Sequence, residues 1–272
     1  MKISNLLNSK HASIMGILNL TPDSFSDGGC FYDYDAAMRR IEDMIKEGAD
    51  IIDIGAESTR PGAAKVSLSE EIKPLEKVIL SYKKHFDTPL SLDTTKSQVA
   101  AFGCEHGVDI VNDISGCRFD PNMVNVLESF QCYTVIMHIQ KDPKTMQEKP
   151  VYDAVVDDVF QHLNDRISEL NKKNIRNIIV DPGIGFGKTL EHNLKLIKQF
   201  ETFQDLNVPT LIGTSRKSFI GTITNTEVEE RLEGTLISSL MAIQKGAQIV
   251  RVHDVKSMKR ALQVYNAVED VA

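Results

Sequence analysis

Short runs rich in isoleucine, valine and leucine recur along the whole chain. Between them lie longer stretches in which apolar residues return every three or four positions. The runs occupy residues 13–20, 50–54, 89–93, 109–113, 133–138, 177–181, 209–213 and 248–252. Most are nearly continuous in aliphatic residues, the signature of parallel strands covered on both faces. The stretches between them read as amphipathic helices. In 36–48, Ala37, Met38, Ile41, Met44 and Ile45 share one face, and Gly48 closes the helix. Asp120 followed by Pro121 reads as a cap and a first helical residue. The segments EGADIIDI, HGVDIVND and KGAQIVRV each set a helix-ending glycine just before a strand. Gly48, Gly107 and Gly246 are therefore expected in left-handed conformation. The longest interval, 139–176, opens with the polar run QKDPKTMQEKP and continues as a long helix from about residue 152.

Strand followed by helix, eight times over and without a Pro- or Ser-rich linker, predicts an α/β fold. The architecture expected is a (β/α)8 TIM barrel, one domain across residues 1–272, with 1–13 as an N-terminal extension. An open doubly wound sheet is the alternative, but the repeat reaches both ends of the chain.

Composition narrows the partners. Apolar residues make up 42% and charged residues 25%, so the chain can bury a core without a metal or disulfide staple. Its net charge is −7, with basic residues scattered rather than clustered, which argues against nucleic acid as a partner. Any anionic ligand must then be held by local charge. Cys30, Cys104, Cys117 and Cys132 form no CxxC pair and read as reduced thiols. No signal-length or membrane-length apolar stretch occurs, so a cytoplasmic protein without a membrane partner is expected.

In barrels of this kind the chemistry lies in the loops that follow the strands. Every predicted strand here ends in a polar residue or a polar loop. The series runs Asn19 with TPDSFSDGG, then ESTRPG, Asp93, Asn112 with Asp113, and His138. It continues with Asp181 and PGIGFGKT, then GTSRKS, then Arg251 and His253. One such residue is as well explained by a helix cap or a turn; a ring of them at one face reads as a site. PGIGFGKT resembles a phosphate loop but lacks the required first glycine, and Lys188 stands where GxGxxG needs its third. The glycines Gly183, Gly185 and Gly187 suit close approach of backbone to a ligand, with Phe186 as an apolar surface. His11, His85, His106, His162 and His192 read as surface or packing residues.

The motifs IMGILNLTPDSFSDGG, DIIDIGAESTRPGA, SLDTTK, VNDISG, VIMH, VDPGIGFGKT, GTSRKSFIG and IVRVHDV follow one another from Ile14 to Val255. In this order they resemble the motifs of the dihydropteroate synthase family. Lys141 stands where that family usually has glycine, and Leu20 where valine is commoner. The resemblance implies a transferase of folate biosynthesis, in the class targeted by sulfonamides. Its reaction joins 6-hydroxymethyl-7,8-dihydropterin diphosphate to 4-aminobenzoate, giving 7,8-dihydropteroate and diphosphate with Mg²⁺ assisting. These small molecules are its expected partners, and a homodimer its expected assembly.

The resemblance also assigns roles. Asp93, Asn112, Asp181, Lys217, Ile114, Met137, Phe186 and Arg251 would bind the pterin. A carboxylate accepting two parallel N–H bonds suits the guanidine-like edge of that ring, and a guanidinium can stack on its face. Asn19, Arg60, Arg251 and His253 would hold the diphosphate, with Asn19 as the Mg²⁺ contact. Phe25, Thr59, Arg60, Pro61, Phe186, Lys217 and Ser218 would form the aminobenzoate pocket, its loops loosened by Gly28, Gly29 and Gly62. Lys217, Arg251, His253 and Arg60 are the expected catalytic residues. Departure of the anionic diphosphate with the C–O bonding pair, leaving a resonance-stabilised pterin methylene cation, is then an SN1-like step. A neutral arylamine needs no strong general base.

Overall fold

The computed structural model describes residues 3–20, 34–58 and 66–271. A five-residue helix α1 (Ile3–Leu7) leads into β1 (Ser13–Asn19). The alternation then runs α2 (Tyr34–Glu47), β2 (Ile51–Gly55), α3 (Leu68–His85), β3 (Leu90–Asp93), α4 (Ser97–Glu105) and β4 (Ile110–Asp113). It continues through α5 (Met123–Phe130), β5 (Tyr133–Met137), α6 (Val155–Lys172), β6 (Ile178–Asp181), α7 (Leu190–Lys198) and β7 (Leu211–Ile212). The helices α8 (Ser218–Thr224) and α9 (Leu232–Gln244), the strand β8 (Ile249–Val252) and α10 (Val255–Glu269) complete it. The strands are parallel, in the order β6-β5-β4-β3-β2-β1-β8-β7. The two edges meet at a bridge between Val180 and Thr210, and the Val180 N–H donates to the Pro209 carbonyl at 2.9 Å. The ring so formed is the expected (β/α)8 TIM barrel.

Side-chain alternation along the strands sorts the core into two shells. Met15, Ile51, Ile110, Val135, Ile179, Leu211 and Ile249 point inward and form the floor of the barrel. Their strand neighbours Ile14, Ile52, Val111, Ile136, Val180, Ile212 and Val250 point outward and pack in a larger cluster with the helices. There α2 contributes Ala37, Ile41 and Met44, three of the five residues expected on its apolar face. Gly48, Gly107 and Gly246 have φ of 104°, 88° and 98°, the left-handed helix ends expected of them.

Three local readings change. Residues 3–7 are more than an extension: Ile3, Leu6 and Leu7 are buried against the inward floor residues and plug the barrel from below. The helix α5 begins at Met123, past the Asp120–Pro121 signal. The Asp120 carboxylate instead accepts the Asn122 N–H at 3.0 Å and, across the surface, the Ser97 N–H of α4 at 2.8 Å. It is a cap shared between two helices. The helix expected from about residue 152 begins at Val155. The loop ahead of it is polar in sequence but buries Met146. Lys141 in that loop has φ of 62°, and its Nζ donates to the Glu148 carbonyl at 2.7 Å. Glycine reaches that conformation without steric cost, which explains the glycine usual in the family.

Candidate active site

The inward alternation that makes the barrel floor also makes the site. Two residues above Ile51, Ile110, Ile179 and Ile249 stand Asp53, Asn112, Asp181 and Arg251. On the same parity are Asn19, Asp93, Ile114, Met137 and His253. A strand that buries an apolar residue at its lower end thus delivers a polar one to the carboxyl end of the barrel. Asp113 and His138 have the opposite parity and leave the ring. Asp113 accepts the N–H groups of Ser115 and Cys117 at 2.7 and 3.1 Å, stabilising the loop after β4. Burial pushes its carboxyl up to about 6.

At the centre is a linked charge cluster. Arg251 donates from Nε to Asp53 Oδ2 at 2.6 Å and from Nη2 to Asp93 Oδ2 at 2.7 Å. The Asn112 amide donates to the same Asp53 oxygen at 3.2 Å. Burial lifts Asp93 to about 7, with Arg251 pulling it down and Asp53, Glu71 and Asp113 pushing it further up. Asp181 Oδ1 accepts the Gly183 N–H at 2.7 Å. Burial raises this carboxyl as well, against the opposing pull of that hydrogen bond and of Lys217, Lys188 and Arg251. A Cβ at Gly183, whose φ is 72°, would lie 2.0 Å from the His138 carbonyl, so only glycine fits there.

Burial brings Lys217 down to about 8, although Asp181 favours its charge. Its Nζ lies 4.0 Å from the centroid of the Phe186 ring. Ile114, Met137, Ile139 and Met146 form an apolar cluster with Phe186 packed against it. The three residues expected to wall a flat ring are thus together, joined by two that were not foreseen. His253 and Ser215 make a pair: Ser215 Oγ accepts the His253 N–H at 3.2 Å and lies 3.0 Å from His253 Nδ1. Burial, then Arg251 and Arg216, lower this imidazole to about 4, so it is neutral at pH 7. Asn19 ends β1 half-buried, and Ser218 opens α8 exposed. Phe25, Thr59, Arg60 and Pro61 lie outside the described residues, as do Gly28, Gly29 and Gly62.

The sequence profile described as "Pterin binding enzyme" matches residues 15–253. A dihydropteroate synthase of Haemophilus influenzae is 42% identical over 256 residues, covering 93% of each chain. The chain belongs to the dihydropteroate synthase family. Its members are pterin-binding transferases of folate biosynthesis, and this chain is one of them. Two solved dihydropteroate synthase structures from Xanthomonas albilineans share the fold. One, with 4-aminobenzoic acid, is 37% identical with a TM-score of 0.91 over 97% of this chain and 95% of that one. The other, in complex with 7,8-dihydropteroate, is 35% identical with a TM-score of 0.88 over 97% and 95%.

Three polar residues escaped the sequence reading of this synthase. Asp53 shares the inward parity of Asp181, and that alternation was the signal for it. Ser215 stands in the GTSRKS loop, but only the fold sets it against His253. Lys188 had counted only as a break in a glycine motif. It is buried, and its Nζ reaches Phe186 O at 2.9 Å, His138 O at 3.3 Å and His138 Nδ1 at 3.0 Å. It ties the loops after β5 and β6 together, and burial lowers it to about 7.

Proposed function

We propose that this chain condenses 6-hydroxymethyl-7,8-dihydropterin diphosphate with 4-aminobenzoate, and that the inward ring of strand-end residues divides the work. Asp181 accepts the pterin's paired N–H donors, with Asp93 and Asn112 completing the edge. Those donors repay the cost of two buried carboxylates, a burial that pushes both carboxyls above the usual carboxylate range. Lys217 donates to the ring's carbonyl oxygen and nitrogen. Arg251 stacks on the ring, and Ile114, Met137 and Phe186 wall it. The observation that carries this reading is the placing of Asp93, Asn112 and Asp181 on one inward parity, with the apolar cluster of Ile114 and Met137 beside them.

Charge on the departing diphosphate grows as its bond to the pterin methylene breaks. Arg60, Arg251 and His253 stabilise it more in the transition state than before it. Phe25, Thr59, Arg60, Pro61, Phe186, Lys217 and Ser218 hold the aminobenzoate so that its neutral amine meets the cation in an SN1-like step. The donor set tests whether magnesium fits. Asn19 offers one hard amide oxygen, and among the described residues no group of three or more His, Cys, Asp or Glu side chains converges as a metal cage. One protein oxygen suits an ion that binds chiefly through diphosphate and water. When bound, the ion would neutralise charge on the leaving group.

Two wider readings belong here. No described helix is long and apolar enough to cross a membrane, and Cys104, Cys117 and Cys132 are free thiols; we place the protein in the cytoplasm. A second copy of the chain is the partner that suits α9 and α10. These helices pack together and expose Ile237, Met241, Val264 and Val268.

The deciding assay mixes the protein with dihydropterin diphosphate, 4-aminobenzoate and Mg²⁺ and follows diphosphate and dihydropteroate together. Equal formation of both is expected. Pterin binding without product would overturn the catalytic reading, and no binding would overturn the site.

A further inference from the structure

Among the described strands, Asp53 is the inward carboxylate to which no substrate contact is assigned, and its side chain is completely buried. All its hydrogen bonds converge on Oδ2, which takes Arg251 Nε at 2.6 Å and the Asn112 amide at 3.2 Å. Arg251 Nη2 also lies 2.6 Å from that oxygen. Its Oδ1 has no hydrogen-bond partner among the described residues. Among the described residues its hydrogen bonds therefore reach two residues, Arg251 and Asn112, and both belong to the pterin site.

We propose that Asp53 is a positioning residue: a single buried oxygen holds the Arg251 guanidinium and the Asn112 amide where both face the pterin, and keeps Arg251 from closing fully onto Asp93. This rests on the functional reading above. Arg251 is shared between two carboxylates, of which Asp93 is needed for the ligand. With Asp53 present, Asp93 can turn to the pterin while Arg251 keeps an anionic partner. Without it, Asp93 becomes that partner, and the pterin must compete for it.

A purely structural ion pair would not move the pH dependence of binding, whereas this arrangement does. The charges acting on Asp93 are Asp53 from β2, Glu71 from α3, Asp113 from β4 and Arg251 from β8, with Lys217 from the loop after β7. Ionised Asp93 accepts the pterin's N–H groups, so affinity falls as pH drops through its titration. Removing the Asp53 charge takes away one repulsion and frees Arg251 for closer pairing. Both changes favour ionised Asp93 and move the acid limb to lower pH.

The test is calorimetric binding of 6-hydroxymethylpterin, which lacks the leaving group and cannot react, from about pH 5 to about pH 9. Asp53→Asn keeps the shape and is expected to shift the acid limb down by about one pH unit. Its affinity at pH 8 should fall about tenfold. In an Arg251→Met background the same substitution should have a clearly smaller effect on both quantities, because only the direct repulsion of Asp93 and the hold on Asn112 are left to act. Asp53→Ser, checked for folding by circular dichroism, is the second variant, with the same expected direction. An unshifted limb, or an equal effect with and without Arg251, overturns the proposal while wild-type pterin binding still upholds the functional reading. A wild-type protein that binds no pterin overturns both.

Discussion

Asp181 has two tasks that an amide cannot share. Its Oδ1 already accepts the Gly183 N–H at 2.7 Å, which shapes the loop after β6, and on our reading its other oxygen serves the pterin. Asp181→Asn keeps the volume but turns one acceptor into a donor facing donors. Charge-assisted bonds of this kind contribute up to about 3 kcal/mol, so pterin affinity should fall about a hundredfold. Calorimetry with the pterin measures it, and unchanged affinity would remove Asp181 from the site. The same scale explains Lys141. A left-handed lysine costs about 1–2 kcal/mol in backbone strain. The Nζ bond to Glu148 and the docking of that loop on its neighbour offset part of this, with Gln147 donating to Gly185 O at 2.8 Å and Tyr152 to Gly187 O at 2.7 Å.

Among the elements, α1 is the clearest case of a segment whose role comes from its position. Five residues are too few for a stable isolated helix. This one persists because Ile3, Leu6 and Leu7 cover seven inward residues that would otherwise face water at the open end of the barrel. The Gln248 amide also donates to Leu7 O at 3.0 Å, tying the helix to the lead-in of β8. Leu7→Ala should cost about 2–3 kcal/mol, the low end for a buried leucine because the surface helix can settle. Chemical denaturation would show the loss, and pterin affinity should hold, since the site lies at the opposite end of the strands. Lost pterin binding in a folded variant would mean that the floor and the site are coupled.

For the molecule as a whole, the exposed apolar residues on α9 and α10 make the assembly testable. Val264 and Val268 are each 67% exposed and one helical turn apart. A monomer gains nothing from them there, whereas a two-fold interface buries each of them twice. A net charge of −7 keeps copies apart unless such a patch joins them. The double substitution Val264→Glu with Val268→Glu should therefore give a monomer by size-exclusion chromatography with light scattering, where wild type gives a dimer. Two wild-type monomers would end the proposal.

What the sequence determined by itself is periodic and local. Aliphatic runs located eight strands, and glycines at helix ends located three left-handed turns whose φ values agree. The strand pattern placed Asp93, Asn112, Asp181, Arg251 and His253 at strand ends and Lys217 in the loop after the seventh. Strand alternation carries one bit per residue, inward or outward, and that bit also separates Asp53 and Asp181 from Asp113 and His138. Which inward residues meet is a different matter, since it depends on how strands far apart in the chain close on one another. Arg251 and Asp53 are 198 positions apart, and Lys188 and His138 are 50 apart. Their contacts, and the docking of α1 beneath the floor, arise only when the barrel shuts. A hydrogen bond needs two atoms within about 3 Å, and no one-dimensional pattern supplies that distance.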